Sequence, residues 1–150
     1  MCIIAFIKRL SKRKKKKAVN PYLCTTIKGE SVKSYGEKEI ADFLYSNNVR
    51  YRYEEPYKYE PNYRPDFHII GTKIWIEYFG IDRDGNVPDW FQGKNPSKEY
   101  RKQMKWKKKI HRKNHTVLIS LYAYQRSEGT LLRVLSEELR KNGIKTNTVL

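Results

Sequence analysis

Apolar residues recur along this chain in two rhythms. From about Tyr35 to Asn47, Ile40, Phe43 and Leu44 fall at helical spacing, and Ser34-Tyr35-Gly36-Glu37 precedes them in the order of a capping box. From Val49 to Tyr59 the period shortens to two: Tyr51 and Tyr53 alternate with Arg50, Arg52 and Glu54 as in a half-exposed strand. Two apolar runs follow, Asp66-Phe67-His68-Ile69-Ile70 and Ile74-Trp75-Ile76-Glu77-Tyr78-Phe79, and the Gly71-Thr72 turn between them predicts a hairpin. Ile81 to Ser97, punctuated by Gly85, Pro88, Gly93 and Pro96, reads as a loop long enough to suspect of function. The spacing then predicts a helix over about Ser97 to Asn114, a buried strand over His115 to Leu121, and a last helix from near Ser127 on the stripe Leu131, Leu135 and Leu139, stopped by Asn142-Gly143. No internal repeat is present. Helix, three strands, helix, strand, helix describes an α/β chain with a mixed four-stranded sheet flanked by helices.

Charge changes the picture of what this fold is for. The chain has 150 residues and a net charge of +16, the length of one compact domain. Residues 1–30 hold nine Lys or Arg against one Glu, and six of those cations are the run Lys12, Arg13, Lys14, Lys15, Lys16 and Lys17. We therefore divide the chain into a basic N-terminal arm, 1–30, and a folded domain, 31–150. Such a run is either a solvated tail or a phosphate-binding arm. A polyanion is the expected partner, nucleic acid before a membrane surface, because no stretch approaches the roughly 20 apolar residues a bilayer span requires. The apolar Met1 to Ile7 precedes its basic run, the reverse of a secretory signal. Cys2 and Cys24 have no zinc or disulfide spacing and read as free thiols of a reducing compartment. The expected location is intracellular, cytoplasmic or nucleoid-associated, or nuclear in a eukaryote.

Three acids carry the candidate chemistry. Glu77 has apolar or aromatic neighbours on both sides, and a lone buried carboxylate needs a cation or a donor. The hairpin brings Asp66 near it, and two like charges so placed call for a positive centre, which a divalent cation held by oxygen ligands supplies. Glu37 shares a helix face with Ile40 and Leu44, so it either points to the same place or simply caps its helix. In the long helix, Trp106, Ile110, Gln103, Lys107, Tyr100, His111 and Met104 fall on one arc. Lys98, Arg101, Lys102, Lys105, Lys108, Lys109, Arg112 and Lys113 fall on the other. The second arc is a solvated surface or a phosphate-binding face. Lys107 is the one cation of the apolar arc: it snorkels to water, or it reaches the acids. His68 and His111 read as approaching the site or as satisfied structural histidines. Asp82-Arg83-Asp84-Gly85 reads as turn chemistry, since the later ligands of a calcium loop are missing. Trp90 and Phe91 either stack on bases, wedge a duplex, dock a partner or tuck over the core.

These residues together resemble the PD-(D/E)xK nuclease superfamily. Pro65-Asp66 resembles its PD element, Glu77 its second acid and Glu37 the acid often found on its first helix. The likeness is closer to small nuclease-like domains with a Ser-Tyr-Gly-Glu helix, an Arg-Pro-Asp-Phe strand and a Glu-Tyr-Phe-Gly strand end, some fused to DNA-repair helicases. The three motifs stand here at Ser34 to Glu37, Arg64 to Phe67 and Glu77 to Gly80, so the resemblance covers roughly residues 31–142. It implies a restriction-endonuclease-like core and a metal-dependent endonuclease that hydrolyses phosphodiester bonds in DNA. It further implies Mg²⁺ or Mn²⁺ held by Asp66, Glu77 and the carbonyl of Tyr78, with Glu37 completing the shell directly or through water. The chain departs from the pattern at Phe79, where the superfamily has a lysine two residues after the second acid. That lysine sometimes moves to the following helix, where Lys107 fits, with Gln103 as an auxiliary donor. The alternatives are a degenerate DNA- or RNA-binding module without catalysis, and a subunit that docks on a helicase or repair enzyme. Paired subunits are common among such nucleases, so a homodimer is a further expectation by analogy.

Overall fold

The computed structural model describes residues 24–147. Helix α1 spans Tyr35–Ser46, and the Ser34 side chain accepts the Glu37 N–H at 3.1 Å, satisfying one of the donors that a helix start leaves open. Strands β1 (Tyr51–Tyr53), β2 (Phe67–Ile69), β3 (Ile74–Phe79) and β4 (Val117–Tyr122) form a single sheet in that order. The first two pairings are antiparallel and β3 pairs with β4 in parallel. Parallel neighbours need a long crossover, and helix α2, Pro96–Lys113, supplies it. The short α3, Ala123–Ser127, and then α4, Leu131–Lys141, follow β4. The chain is thus α/β, with a mixed four-stranded sheet and helices on both faces.

Alternation along the strands decides which helix covers which face. Phe67, Ile69, Ile74, Ile76, Ile119 and Leu121 point to one side, where Ile40, Ala41 and Leu44 of α1 meet Leu131, Leu135 and Leu139 of α4. The opposite face lies under α2 and carries two smaller clusters. One joins Phe79, Ile81 and Val87 to Met104; the other joins Tyr57, Tyr63 and Trp75 to Ile110 and Leu118. Glu77 stands between them on that face, bracketed by Trp75 and Phe79 along β3.

The structure corrects four expectations. The strand expected over Val49 to Tyr59 ends at Tyr53, because Glu54 adopts φ 50° and turns the chain so that Tyr57 and Tyr63 pack over Trp75. The final helix is preceded by α3, and Gly129 at φ 72° separates the two, a left-handed bend that glycine takes at little cost. Trp106 and Gln103, assigned to the covered arc of α2, are exposed, and Met104 and His111 are the buried pair. Residues 24–32, inside the stretch assigned to the arm as far as 30, close a small loop by the bridge Thr25 to Ser31. That loop is tied to α1 by Ile27 N–H on Asp42 and to β1 by Tyr51 O–H on Glu30. The basic run Lys12 to Lys17 lies outside the described residues. Among the described residues no helix is long and apolar enough to cross a membrane.

One contact explains a motif residue. A Cβ on Gly36 would stand 2.1 Å from Cζ and 2.6 Å from the hydroxyl of Tyr78, so the ring lies directly on the start of α1. Gly36→Ala must push that ring away, and we expect a loss of about 1–3 kcal/mol in chemical denaturation, typical of overpacking. Tyr78→Ala should make the second change nearly neutral in a double-mutant cycle, because the two positions share one space.

Candidate active site

The hairpin sets the two strand acids. Phe67 pairs with Ile76 and His68 with Trp75, and the same register carried one pair further sets Asp66 across from Glu77. The ladder is not continued by backbone there. Instead the Asp66 carboxylate accepts the Tyr78 N–H at 2.7 Å. A strand residue presents its N–H and C=O to the same edge, so the Tyr78 carbonyl faces the Asp66 side of β3.

Glu77 is 2 % exposed, and its two oxygens have different fates. Oε2 accepts from the Lys107 ammonium at 3.0 Å, while Oε1 is buried with no hydrogen-bond partner among the described residues. Lys107 also lies over the rings of Tyr63 and Phe79, at 5.4 and 5.7 Å from their centroids. The one cation of the apolar arc therefore reaches the acid rather than water.

Glu37 does two things at once. It is buried at the start of α1, where Oε1 accepts from the Ser34 hydroxyl at 2.9 Å and Oε2 accepts from the Lys33 N–H at 3.1 Å and from the Tyr53 hydroxyl. These are capping bonds, and they occupy both oxygens. Its charge nonetheless reaches the other acids. Burial first, then the charges of Glu77 and Glu37, push the Asp66 carboxyl well above the usual carboxylate range, against the Tyr78 N–H and Lys107. Burial also pushes Glu77 up, with Glu37 adding to it, while Lys107 and Tyr63 act the other way.

Two carboxylates whose negative charge is disfavoured, one with an orphaned buried oxygen, fit a divalent cation, which would satisfy that oxygen and relieve the repulsion. The donor set consists of Asp66, Glu77 and the Tyr78 carbonyl, all oxygen, the chemistry Mg²⁺ and Mn²⁺ favour. Among the described residues no group of three or more His, Cys, Asp or Glu side chains stands ready as a cation site, in keeping with the bonds that hold Glu37 back.

Around this core the other expected residues separate. Gln103, one turn before Lys107, is exposed with no bond to the acids. Arg101 donates to the Gly85 carbonyl at 2.7 Å and Lys108 to the Tyr122 hydroxyl at 2.8 Å, so both cations are anchored at the rim of α2. Lys102, Lys105, Lys109 and Arg112 project into solvent. His68 stacks on Trp75 with centroids 4.0 Å apart and is held by Glu55 and by the Thr72 carbonyl, so it is a structural side chain of the hairpin. Sequence reasoning did not single out Tyr53, Tyr63 or Tyr100. Tyr100 accepts the Gly80 N–H at 2.8 Å and is pushed up to about 12 by burial and by the charges of Glu77, Asp66 and Glu37. Its place in the apolar arc of α2 was the available signal. Tyr63 carried none, since it acts from an irregular segment.

His111 is 1 % exposed, bonded through Nδ1 to Thr116 Oγ1 at 2.8 Å and through Nε2 to the Tyr63 hydroxyl at 3.2 Å. Burial and the nearby Lys107 charge lower its pKa from near 6.5 to about 4. Between those values the unfolded chain takes up a proton that the folded one refuses, so this group's contribution to stability falls as pH drops from about 6.5 to about 4. The raised carboxyls act in the opposite sense, so the measurement is a difference. His111→Gln should show a shallower loss of denaturation midpoint than wild type across that window, and parallel curves would rule the histidine out as the source.

Comparison with protein-family models, with curated proteins and with solved structures finds no match for this chain.

Proposed function

We propose that this chain is a metal-dependent endonuclease that hydrolyses phosphodiester bonds in DNA, on a restriction-endonuclease-like version of its α/β fold. The observation that carries the reading is the divided state of Glu77, beside Asp66: one oxygen is on Lys107 at 3.0 Å, and the other is buried with no hydrogen bond of ordinary geometry among the described residues, the Tyr63 hydroxyl acting on the carboxylate while bonded to His111. A purely structural acid would have both oxygens satisfied.

In this reading Asp66, Glu77 and the Tyr78 carbonyl hold Mg²⁺ or Mn²⁺, which when bound would supply a Lewis acid for the scissile phosphate and a more acidic water. Lys107 has its ammonium fixed by Glu77 and would orient the attacking water and offset the negative charge developing on the phosphoryl oxygens. Glu37 serves from behind as a positioning residue: it fixes the start of α1 and, by repulsion, keeps Asp66 and Glu77 in need of a cation. Lys102, Lys105, Lys109 and Arg112 run along the open side of α2 and would track the phosphate backbone, with Gln103 beside them.

The test is a cleavage panel of linear, nicked, branched and single-stranded DNA, with RNA alongside, in Mg²⁺, Mn²⁺ and EDTA. Cleavage of DNA that EDTA abolishes is the expected result; no turnover on any substrate in either metal defeats the reading. A non-catalytic nucleic-acid-binding module is favoured by one observation, the Lys107 to Glu77 ion pair, which already neutralises part of the acidic charge. That alternative expects salt-sensitive binding indifferent to metal and to Asp66→Asn.

A further inference from the structure

Trp90 is 74 % exposed, the most solvent-accessible large apolar side chain among the described residues. Its ring is nevertheless held. It packs against Phe91 as a tilted pair, with centroids 4.5 Å apart at 39°, and Phe91 meets Tyr100 edge-on at 5.7 Å. Tyr100 is in turn bonded to the backbone of Gly80, three residues beyond Glu77 on the same chain segment. The loop beneath is braced on α2 from both sides, by Val87 N–H on Ser97 at 3.1 Å and by Arg101 on the Gly85 carbonyl at 2.7 Å. Phe91 N–H closes a turn on the Pro88 carbonyl at 2.9 Å.

An indole braced by one neighbouring ring and otherwise largely open to solvent is a poor arrangement for water and a good one for a second flat ring. What surrounds it selects the ring's carrier. Lys94, Lys98 and Lys102 are exposed along the adjoining start of α2, against Glu99 there and Asp89 beside the indole. Exposed cations on the chain that follows an exposed indole match a base on a phosphodiester chain, since stacking tolerates every base while the charges follow the backbone. A base inside a duplex has both faces already covered by its neighbours, so an unpaired one is the fitting occupant.

We propose that Trp90 is a stacking platform for an unpaired nucleobase, and that it makes single-stranded or branched DNA the preferred substrate class of this protein. The proposal deepens the nuclease reading and rests on it for the meaning of "substrate". The platform itself is tested by binding alone, in EDTA, so the two fail separately.

The experiment uses the full chain and two labelled probes at one fixed salt concentration, oligothymidylate and a blunt duplex of equal length, read by fluorescence anisotropy. Wild type is expected to bind the single strand more tightly. Trp90→Ala should weaken single-strand binding by roughly tenfold or more, the effect of losing one stacked base, with duplex affinity within about twofold. Trp90→Phe should recover most of the loss. In a Trp106→Phe background, which leaves Trp75 and Trp90, the single strand should also quench tryptophan emission, and adding Trp90→Phe should abolish that change, which a structural role for Trp90 would not produce. Equal affinities of wild type and Trp90→Ala for the single strand, or equal losses on both probes, overturn the proposal.

Discussion

Glu77→Gln is expected to lose roughly three orders of magnitude or more of metal-dependent cleavage, since forfeiting a metal's charge stabilisation is worth several kcal/mol at the transition state. The same change should leave the fold as stable as before, or more so. Burial holds the Glu77 carboxyl above its ordinary value, so the folded state retains its proton to a higher pH than the unfolded one. Its contribution is then fully present below the unfolded pKa and lost as pH rises through the folded one. A neutral amide of the same shape removes that neutral-pH cost. It also releases Lys107, whose side chain keeps 26 % of its surface exposed and can reach water. Activity lost while the denaturation midpoint holds or rises marks an acid kept for chemistry. An unfolding free energy that drops by several kcal/mol with Glu77→Gln would instead make the residue a structural acid and count heavily against the enzyme.

Lys107→Ala should behave in the opposite way, costing both turnover and stability. Removing one partner of a buried ion pair typically costs about 3–5 kcal/mol, because the remaining charge is left uncompensated. Here the loss is limited by how readily Glu77 takes up a proton, so it should be larger at pH 8 than at pH 6. A divalent cation would restore the missing charge. The thermal midpoint of Lys107→Ala should therefore rise with Mg²⁺ or Mn²⁺ more than that of wild type, by the linkage of binding to folding. Cleavage at the wild-type rate would remove Lys107 from the chemistry and leave its ion pair as scaffolding.

These expectations rest on parts of the structure that the sequence made legible to different degrees. The position of Asp66 opposite Glu77 followed from two apolar runs and one Gly-Thr turn, because a hairpin register is fixed by turn length and by which residues must face inward. Lys107 was legible because a cation at a covered position of a helix is an inconsistency that only a partner resolves. Glu37 had two readings: its oxygens are taken up at the helix start, while only its charge acts on Asp66. What could not be read were the tertiary choices. The tyrosines at 51, 53, 57 and 59 look like one continuing alternation, yet the left-handed turn at Glu54 sends Tyr57 to a separate cluster. Projection of α2 gave its apolar side but not the line along which it meets the sheet. That line runs through Met104 and His111, leaving Trp106 44 % exposed. Nor does spacing reveal which oxygen of a carboxylate finds a donor, the detail on which the reading of Glu77 depends.

Tyr78 sits at a junction of two demands that have little to do with each other. Its backbone serves the acids, since its N–H holds Asp66, while its phenol ring lodges on the start of α1 where any side chain at position 36 would stand. Inheritance should therefore treat positions 36 and 78 as one unit: descendants that shrink the aromatic are free to abandon glycine, and those that keep it are not. The order of change is therefore one-way: the ring at 78 must shrink before position 36 can gain a side chain, because the reverse order meets a collision.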